Sequence, residues 1–502
     1  FVFPRNDALG DDLMGRIRSA DYLYVSHLHA DHFDAEFLRS AGVRHDVCVL
    51  LPDFPTDDLE RALRGVGFTN LLRCPDGKAI DLGDGLSVTI HTQTALSDGP
   101  QGDSALLVDD GAQRMLNMND CRLDDLEEVR RDGPIDALWL QFSGAIWYPM
   151  VYETTRAEQV ALCRSKVESQ FARAIRYVRD IGARAVVPCA GPPAFLDPDL
   201  FALNVLDGDA WEGAAGQVPS IFPDATEFIR RLAAAGIDTA HLVIPGSAVV
   251  AEPGTPVRVD HAVDAAEVRR PFDDKAAYLR AYADDWASWL AAHRASWHAP
   301  TEGLLTELRR WWRPLLEMAP DTRAAIGANC LLRLRVPDAP QWDLDVLVDF
   351  PAGDVRTWKG EGYAFRFDID RRLVETVVAE RAVDWSNALF LSCRFRAWRA
   401  GGYNEYLYNF FKSLSKDRMR RAEAQVDADR ARAAAPGEIR IGDYVVERFC
   451  PHRQADLTAF GALDADGHTL TCQLHGWRFD LRTGSCLTSP ERRIACRAVT
   501  AD

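Results

Sequence analysis

The sequence predicts an α/β fold continued by an α+β region and closed by a small all-β region, and three observations carry this. Short apolar runs alternate with amphipathic helical patterns between residues 21 and 244. Beyond Pro253–Pro256 the texture changes to long helical stretches followed by a mixed series of strands and helices. From residue 439 to 502 the chain reads as short strands broken by Gly and Asp turns. The corresponding divisions are 1–255, 256–415, a helical linker at 416–438, and 439–502.

Residues 21–26, Asp-Tyr-Leu-Tyr-Val-Ser, form an apolar run that ends at a histidine, as expected of a buried strand whose C-terminal loop presents ligands. Strand-like segments follow at 47–51, 86–91, 104–108, 114–117, 185–188 and 241–244. Helical patterns cover 57–66, 157–180 and 224–235, so the expectation is two layers of sheet enclosed by helices. In the second region helices are expected at 275–298, 306–317, 371–380 and 404–414, and strands at 330–336, 344–350 and 364–368. The Arg/Ala/Asp-rich stretch 416–435 has no apolar face of its own and runs into Pro436-Gly437, which predicts a solvated helical linker. Turns at Gly442-Asp443, Asp466-Gly467 and Gly484 punctuate the last region.

At 502 residues the length suggests about three domains. The balance of 58 basic against 75 acidic residues gives a net charge of −17, which argues against nucleic acid and anionic membranes as partners. No apolar run reaches the roughly 18 residues of a membrane span, and no charged-then-apolar leader is found, so a cytoplasmic protein is expected. The eleven cysteines are an odd number without framework rhythm. Those outside the motif below (Cys48, Cys74, Cys121, Cys163, Cys189, Cys330, Cys393, Cys486, Cys496) read as reduced thiols.

Two ligand motifs stand at opposite ends. Cys450-Pro451-His452 is followed after nineteen residues by Cys472-Gln473-Leu474-His475, a C-x-H…C-x-x-H spacing of the Rieske type. In such a site two thiolates hold one iron of a [2Fe–2S] cluster and two imidazoles hold the other. A Cys₂His₂ set also suits zinc. The C-x-H pair is awkward for a zinc finger, and Gly476-Trp477 with the Gly484 turn favours the cluster.

Near the other end, His27-Leu28-His29-Ala30-Asp31-His32 carries the H-x-H-x-D-H signature of the metallo-β-lactamase fold, four ligating side chains in six residues on a loop after a strand. A bridging carboxylate is expected after a later strand, and Asp120 in Met115–Asp120 supplies it. The usual third histidine between them is not obvious. His91, Asp98 and Asp103 are the available side chains, and Asp103, just before the strand at 104–108, is best placed by register. A carboxylate there makes the site harder and favours iron. Because the signature strand arrives by residue 22, a segment preceding Phe1 is expected.

Residues from about 11 to 414 resemble the catalytic part of the CMP-N-acetylneuraminate hydroxylase family, a lactonase-like branch of the metallo-β-lactamase superfamily. The likeness runs through Ser26–His32, Leu116–Cys121, Phe142-Ser143-Gly144 with Tyr148-Pro149, Pro188–Gly191, and residues 368–411. That family also carries a Rieske domain, at its N-terminus, whereas here the motif is C-terminal. Residues 256–415 resemble a sterol-carrier-like domain in element order. Trp147, Tyr148 and Tyr152 read either as core packing or as the lining of a substrate cleft. His45, His241, His261, His293, His298 and His468 lack ligand spacing and read as structural.

A chain with both motifs is expected to be an oxygenase, since hydrolysis needs no electrons. One or two non-haem iron ions at His27, His29, Asp31, His32, Asp103 and Asp120 would activate dioxygen to hydroxylate or N-oxygenate a polar small-molecule substrate, with electrons arriving through the cluster at Cys450, His452, Cys472 and His475. With no G-x-G-x-x-G nucleotide fold, the donor is expected to be an external ferredoxin or flavoprotein reductase. A homo-oligomer, in the first instance a dimer, would bring the centres together. The alternatives are a zinc hydrolase using metal-bound hydroxide and a redox-sensing protein without chemistry at its N-terminal site.

Overall fold

The computed structural model describes residues 1–502 except 8–9, 95–101, 124, 132, 207–218, 435–436, 453–454, 475, 490–491 and 500–502. Two compact units result. The first joins Phe1–Ala145 to Gln170–Leu290, and the second joins Ile146–Ser169 to Ala291–Asp502.

In the first unit, β1 (Tyr22–Tyr24), β2 (Cys48–Pro52) and β3 (Leu71–Cys74) form a parallel sheet. Strands β4 (Ala79–Gly83), β5 (Leu86–Gln93), β6 (Asp103–Asp109), β7 (Arg114–Asn117), β8 (Ala137–Gln141) and β9 (Ala185–Cys189) form a second sheet in sequential order, antiparallel as far as β7 and parallel from there. The period of two along β2 sorts its side chains between layers. Leu50 meets Val88 and Ile90 of the second sheet, while Val49 and Leu51 face Leu38, Leu59 and Leu63 on helices Ala35–Ser40 and Asp58–Val66. The far side is covered by Phe228 of helix Ala225–Ala234, with ring centroids 5.4 Å from Phe142 and 5.3 Å from Phe171. This helix–sheet–sheet–helix order is the metallo-β-lactamase sandwich.

Five strands of this unit are absent from the sequence pattern, β3, β4 and β8 of the sandwich and the two of a later hairpin, and one expected strand is not formed. Around 241–244 the chain makes an isolated bridge from Ala240 to Val186, with the His241 amide donating to the Val186 carbonyl, and forms no strand. The chain instead makes the hairpin β10 (Ala248–Val250) and β11 (Arg258–Asp260). The division at 255/256 does not follow the packing either. Leu279, Tyr282 and Leu290 of the next helical stretch are buried with Phe3 and Leu196, which draws residues up to 290 into the first unit.

The second unit holds a five-stranded sheet in the order β14-β13-β12-β15-β16, from β12 (Cys330–Arg335), β13 (Leu344–Asp349), β14 (Asp354–Thr357), β15 (Phe365–Asp370) and β16 (Phe395–Arg399). Residues 151–153 lie along the outer edge of β16: the Ala397 amide donates to Val151 and the Glu153 amide donates to Ala397, both at 2.9 Å. An edge strand is thereby covered. Trp147 and Tyr152 are buried here, Trp147 against Phe390, Phe395 and Tyr408, which is the core-packing reading of these residues.

The stretch expected as a solvated linker is a packed helix, Lys416–Ala434. Met419, Ala422 and Val426 are buried, and the Glu423 carboxylate accepts from the Asp321 and Thr322 amides at the start of helix Pro320–Ile326. Its apolar stripe is only three residues wide, too sparse to register against so many charges, yet spaced at i, i+3 and i+7.

The C-terminal region forms two small sheets. One is β17 (Glu438–Ile441), β18 (Tyr444–Glu447) and β23 (Cys496–Ala498); the other is β19 (Gly461–Leu463), β20 (Thr469–Cys472), β21 (Trp477–Asp480) and β22 (Ser485–Cys486). Their shared core includes Cys450, Cys472, Leu470 and Phe479. Among the described residues no helix is long and apolar enough to cross a membrane.

Candidate functional site

Strand β1 delivers the chain through buried Val25 and Ser26 into the histidine loop. The loop folds back because the His32 and Phe33 amides both donate to the His29 carbonyl, at 3.0 and 2.7 Å, and Asp34 then caps the next helix. Neighbouring strands hold the entrance fixed: Ser104 donates its hydroxyl to the Ser26 carbonyl at 2.7 Å, and Tyr24 meets the same hydroxyl at 2.8 Å.

Asp120 is set by two asparagines. The Asn119 amide donates to Asn117 Oδ1, Asn119 adopts a left-handed conformation (φ 40°), and its side-chain oxygen accepts from the Asp120 amide at 2.8 Å. Asn119 Nδ2 reaches the Ser104 carbonyl at 3.1 Å, tying this turn to β6. An Asn tolerates positive φ and can bond its own backbone, which is why it serves here.

His27, His29 and Asp120 each bring a ligand atom within 4.8 Å of the others, the one such group of three among the described residues. His27 Nε2 is 2.8 Å from His29 Nδ1 and 4.0 Å from Asp120 Oδ2. His32 Nε2 lies 3.4 Å from Asp120 Oδ1 and 3.7 Å from Asp31 Oδ2. Asp103 stands behind this group, its Oδ1 3.0 Å from His27 Nδ1 on the side of the ring away from Asp120. Asp98 lies outside the described residues. His91 is buried in β5.

The electrostatics ask for a cation. Burial works against a charged His32, but the hydrogen bond and charge of Asp120, with Asp31 and Asp103 behind, raise it to about 9. Burial likewise opposes an ionised Asp120, yet the His32 hydrogen bond and the charges of His27, His32 and His29 hold its carboxyl well below the usual range. Protonated imidazole thus fills the role that a divalent ion would take, and two imidazoles with carboxylate suit iron or zinc. The donor set fits a metal.

In the C-terminal region Cys450 and Cys472 are fully buried, and His452 is nearly so. Burial, the facing Cys472 thiol and nearby Cys486 push the Cys450 thiol well above its ordinary value. Paired buried thiols that resist ionising in the bare protein are what a cationic cluster would stabilise as thiolates. His475 lies outside the described residues. Its neighbour Gly476 turns the loop at φ 73°, its amide donating to Cys472 at 2.7 Å, and a Cβ there would meet Ser169 Oγ at 1.8 Å. The His452 ring is stacked on Trp477 (4.2 Å, 10°) and met edge-on by Tyr403 (5.4 Å, 63°). Sequence spacing had no signal for Tyr403 or Ser104, each of which acts through a contact across the fold, whereas Asn117 acts locally, on the amide two residues on.

Two family models match: "Rieske [2Fe-2S] domain" over residues 437–497 and "Rv3818-like, SCP2-like domain" over 304–428. A cytidine monophosphate-N-acetylneuraminic acid hydroxylase of Mus musculus is 27% identical over 197 residues, covering 36% of this chain and 31% of that one. The solved structure of CmlA, a diiron β-hydroxylase from Streptomyces venezuelae, aligns over 49% of this chain and 45% of its own at 19% identity and a TM-score of 0.29. A Rieske 2Fe–2S iron–sulfur protein of Mycolicibacterium smegmatis is 41% identical over 508 aligned residues, spanning 99% of this chain and 93% of that protein. With a Rieske motif, an SCP2-like domain and this similarity along nearly its whole length, the chain belongs to the family of that mycobacterial Rieske 2Fe–2S iron–sulfur protein.

Proposed function

We propose that the protein is a Rieske-linked non-haem iron oxygenase of the cytoplasm that hydroxylates or N-oxygenates a polar small molecule, taking electrons from an external ferredoxin or flavoprotein reductase and working as a homo-oligomer. The observation that carries this reading is the presence in one chain of a buried Cys/His cluster site and a separate His/carboxylate group whose charges favour a cation. The partial likeness to a sugar-nucleotide hydroxylase supports the same reaction class.

His27, His29 and Asp120 would hold the metal, with His32 and Asp31 flanking it as further donors. Asp103 fixes the His27 ring through Nδ1, leaving Nε2 to face the metal position. Cys450, Cys472, His452 and His475 would hold the cluster. When bound, iron supplies dioxygen activation and the cluster supplies single electrons. The eleven cysteines are an odd number without framework rhythm, which supports a reducing compartment.

Product formation should require both dioxygen and an electron donor, with label from ¹⁸O₂ and not from water entering the product. Turnover in an anaerobic, donor-free tube overturns the oxygenase and leaves a zinc hydrolase with a tethered Rieske domain.

A further inference from the structure

The end of the Rieske region that carries the cluster ligands is seated against the rest of the second unit. In the first ligand loop the His452 ring is stacked on Trp477 and met edge-on by Tyr403, a residue of the SCP2-like part. In the second, Gly476 lies so close to Ser169 on helix Arg156–Ile181 that a side chain has no room. Arg492 is joined to β22 by the Cys486 amide, which donates to its carbonyl at 3.1 Å. Its guanidinium faces two ways: Nη2 is 3.3 Å from Glu405 Oε2, and Nη1 donates to the Pro451 carbonyl at 3.5 Å. Pro451 stands between the ligand residues Cys450 and His452.

Glu405 opens helix Glu405–Lys412 of the SCP2-like part. There the Asn404 side chain accepts from the Tyr406 and Leu407 amides and donates to the Ala325 carbonyl, so the position of Glu405 is fixed by elements outside the Rieske region. Only 8% of the Glu405 side chain is exposed, against 34% of Arg492. Charges facing water are screened within a Debye length, whereas charge in an interior of lower effective dielectric is felt across several ångströms. Reduction of a [2Fe–2S] cluster adds one negative charge, and the charge and burial around it set its potential. An arginine touching the residue between two ligands would favour the reduced cluster, and a buried carboxylate paired with that arginine offsets it.

We infer that Glu405 is a positioning residue of the Rieske cluster: through Arg492 it holds the first ligand loop and balances the charge that this arginine presents to the cluster, so that the SCP2-like part sets the potential at which the cluster accepts an electron. The inference needs the cluster alone and goes beyond the oxygenase chemistry. Its sign is fixed by the geometry. Neutralising Glu405 leaves Arg492 uncompensated beside the Cys450–His452 loop, and the potential rises. Neutralising Arg492 leaves a buried carboxylate that opposes the incoming electron, and the potential falls. Neutralising both restores the balance.

The test is an anaerobic redox titration of the cluster-loaded full chain at mildly alkaline pH, with dithionite as reductant, dye mediators and visible absorbance as the readout. At a fixed solution potential, Glu405→Gln should move the ratio of reduced to oxidised cluster about tenfold towards reduced, a rise of about 59 mV for a one-electron couple. Arg492→Gln should move the ratio by a similar factor the other way. The double variant should lie within about threefold of wild type. Glu405→Asp, which keeps the charge, should lie nearer wild type than Glu405→Gln. Arg492 is the more exposed partner, so Arg492→Gln tests the sign by itself if Glu405→Gln does not retain a cluster. Shifts in one direction in both single variants, or an unchanged ratio in Arg492→Gln, overturn the inference, because a merely structural contact has no reason to reverse sign between the two partners. Dioxygen, substrate and the N-terminal metal play no part in the titration. Loss of the oxygenase reading would leave this result standing, and failure here would leave oxygenase turnover intact.

Discussion

Asp103 and His27 form a carboxylate–imidazole pair, Oδ1 to Nδ1 at 3.0 Å, with both side chains almost wholly shielded from solvent. The pair orients the ring so that Nε2 points to His29 and Asp120. Asp103→Asn removes the carboxylate charge at nearly constant volume, so metal affinity at the N-terminal site should fall about 10–100-fold while the Rieske absorbance is unchanged. Competition with a chelator reads the affinity directly.

Asp120→Ala should go further. The carboxylate is one of the three converging donors and the partner that raises His32, so its loss removes both a ligand and the charge that gathers the imidazoles. The variant is expected to keep a cluster that the external donor reduces, to lose the N-terminal metal, and to form no product.

Cys472→Ala should bleach the red-brown colour expected of a Rieske protein and abolish its rhombic reduced-state signal, yet retain the N-terminal metal, since the two sites share no residue. Metal content per chain together with the visible spectrum checks this. A colourless, zinc-loaded wild type from iron-replete anaerobic growth would contradict it.

Gly476 makes a stability prediction. An alanine there must adopt positive φ and drive its Cβ into Ser169 Oγ. Gly476→Ala should cost about 1–3 kcal/mol from backbone and overpacking together. Adding Ser169→Gly should recover the overpacking part and leave the backbone part, which denaturant titration of the four proteins would resolve.

Lys275 and Asp224 are an ion pair at 3.1 Å in the first unit, the lysine ammonium also lying 4.5 Å from the Phe3 ring centroid. Burial lowers the Lys275 pKa, and the Lys275 charge keeps Asp224 below the ordinary carboxylate range although burial opposes it. Lys275→Met strands the acid and should destabilise by about 3–5 kcal/mol, whereas Lys275→Met with Asp224→Asn should recover much of it. Thermal unfolding in a double-mutant cycle measures the difference.

Local spacing made the candidate group legible, because His27, His29 and Asp120 follow strand ends where a few residues determine direction. The long helix Arg156–Ile181 and most strands of the five-stranded sheet were equally plain from periodicity. Strand β4 was not, since its alternation exposes Ala79, Asp81 and Gly83, a pattern indistinguishable from a loop. Nor was Asp103's place behind His27: register put it near the histidines, but only the fold decides which ring nitrogen it faces. The helix Lys416–Ala434 was legible, but its packing was not, because its burial depends on Glu423 capping another helix about a hundred residues away in sequence.

Residues 146–169 belong to the second unit although both flanking stretches belong to the first. Neither unit is therefore a continuous piece of chain, and the molecule is not a string of portable modules. Ribosomal synthesis must pass residue 399 before the edge strand that receives Val151 and Glu153 exists, so the N-terminal half waits, with Trp147 and Tyr152 unburied, for sequence that emerges some 250 residues later. Recombination that cut the gene near residue 255 would separate partners of a single core, which ties the inheritance of the two halves together.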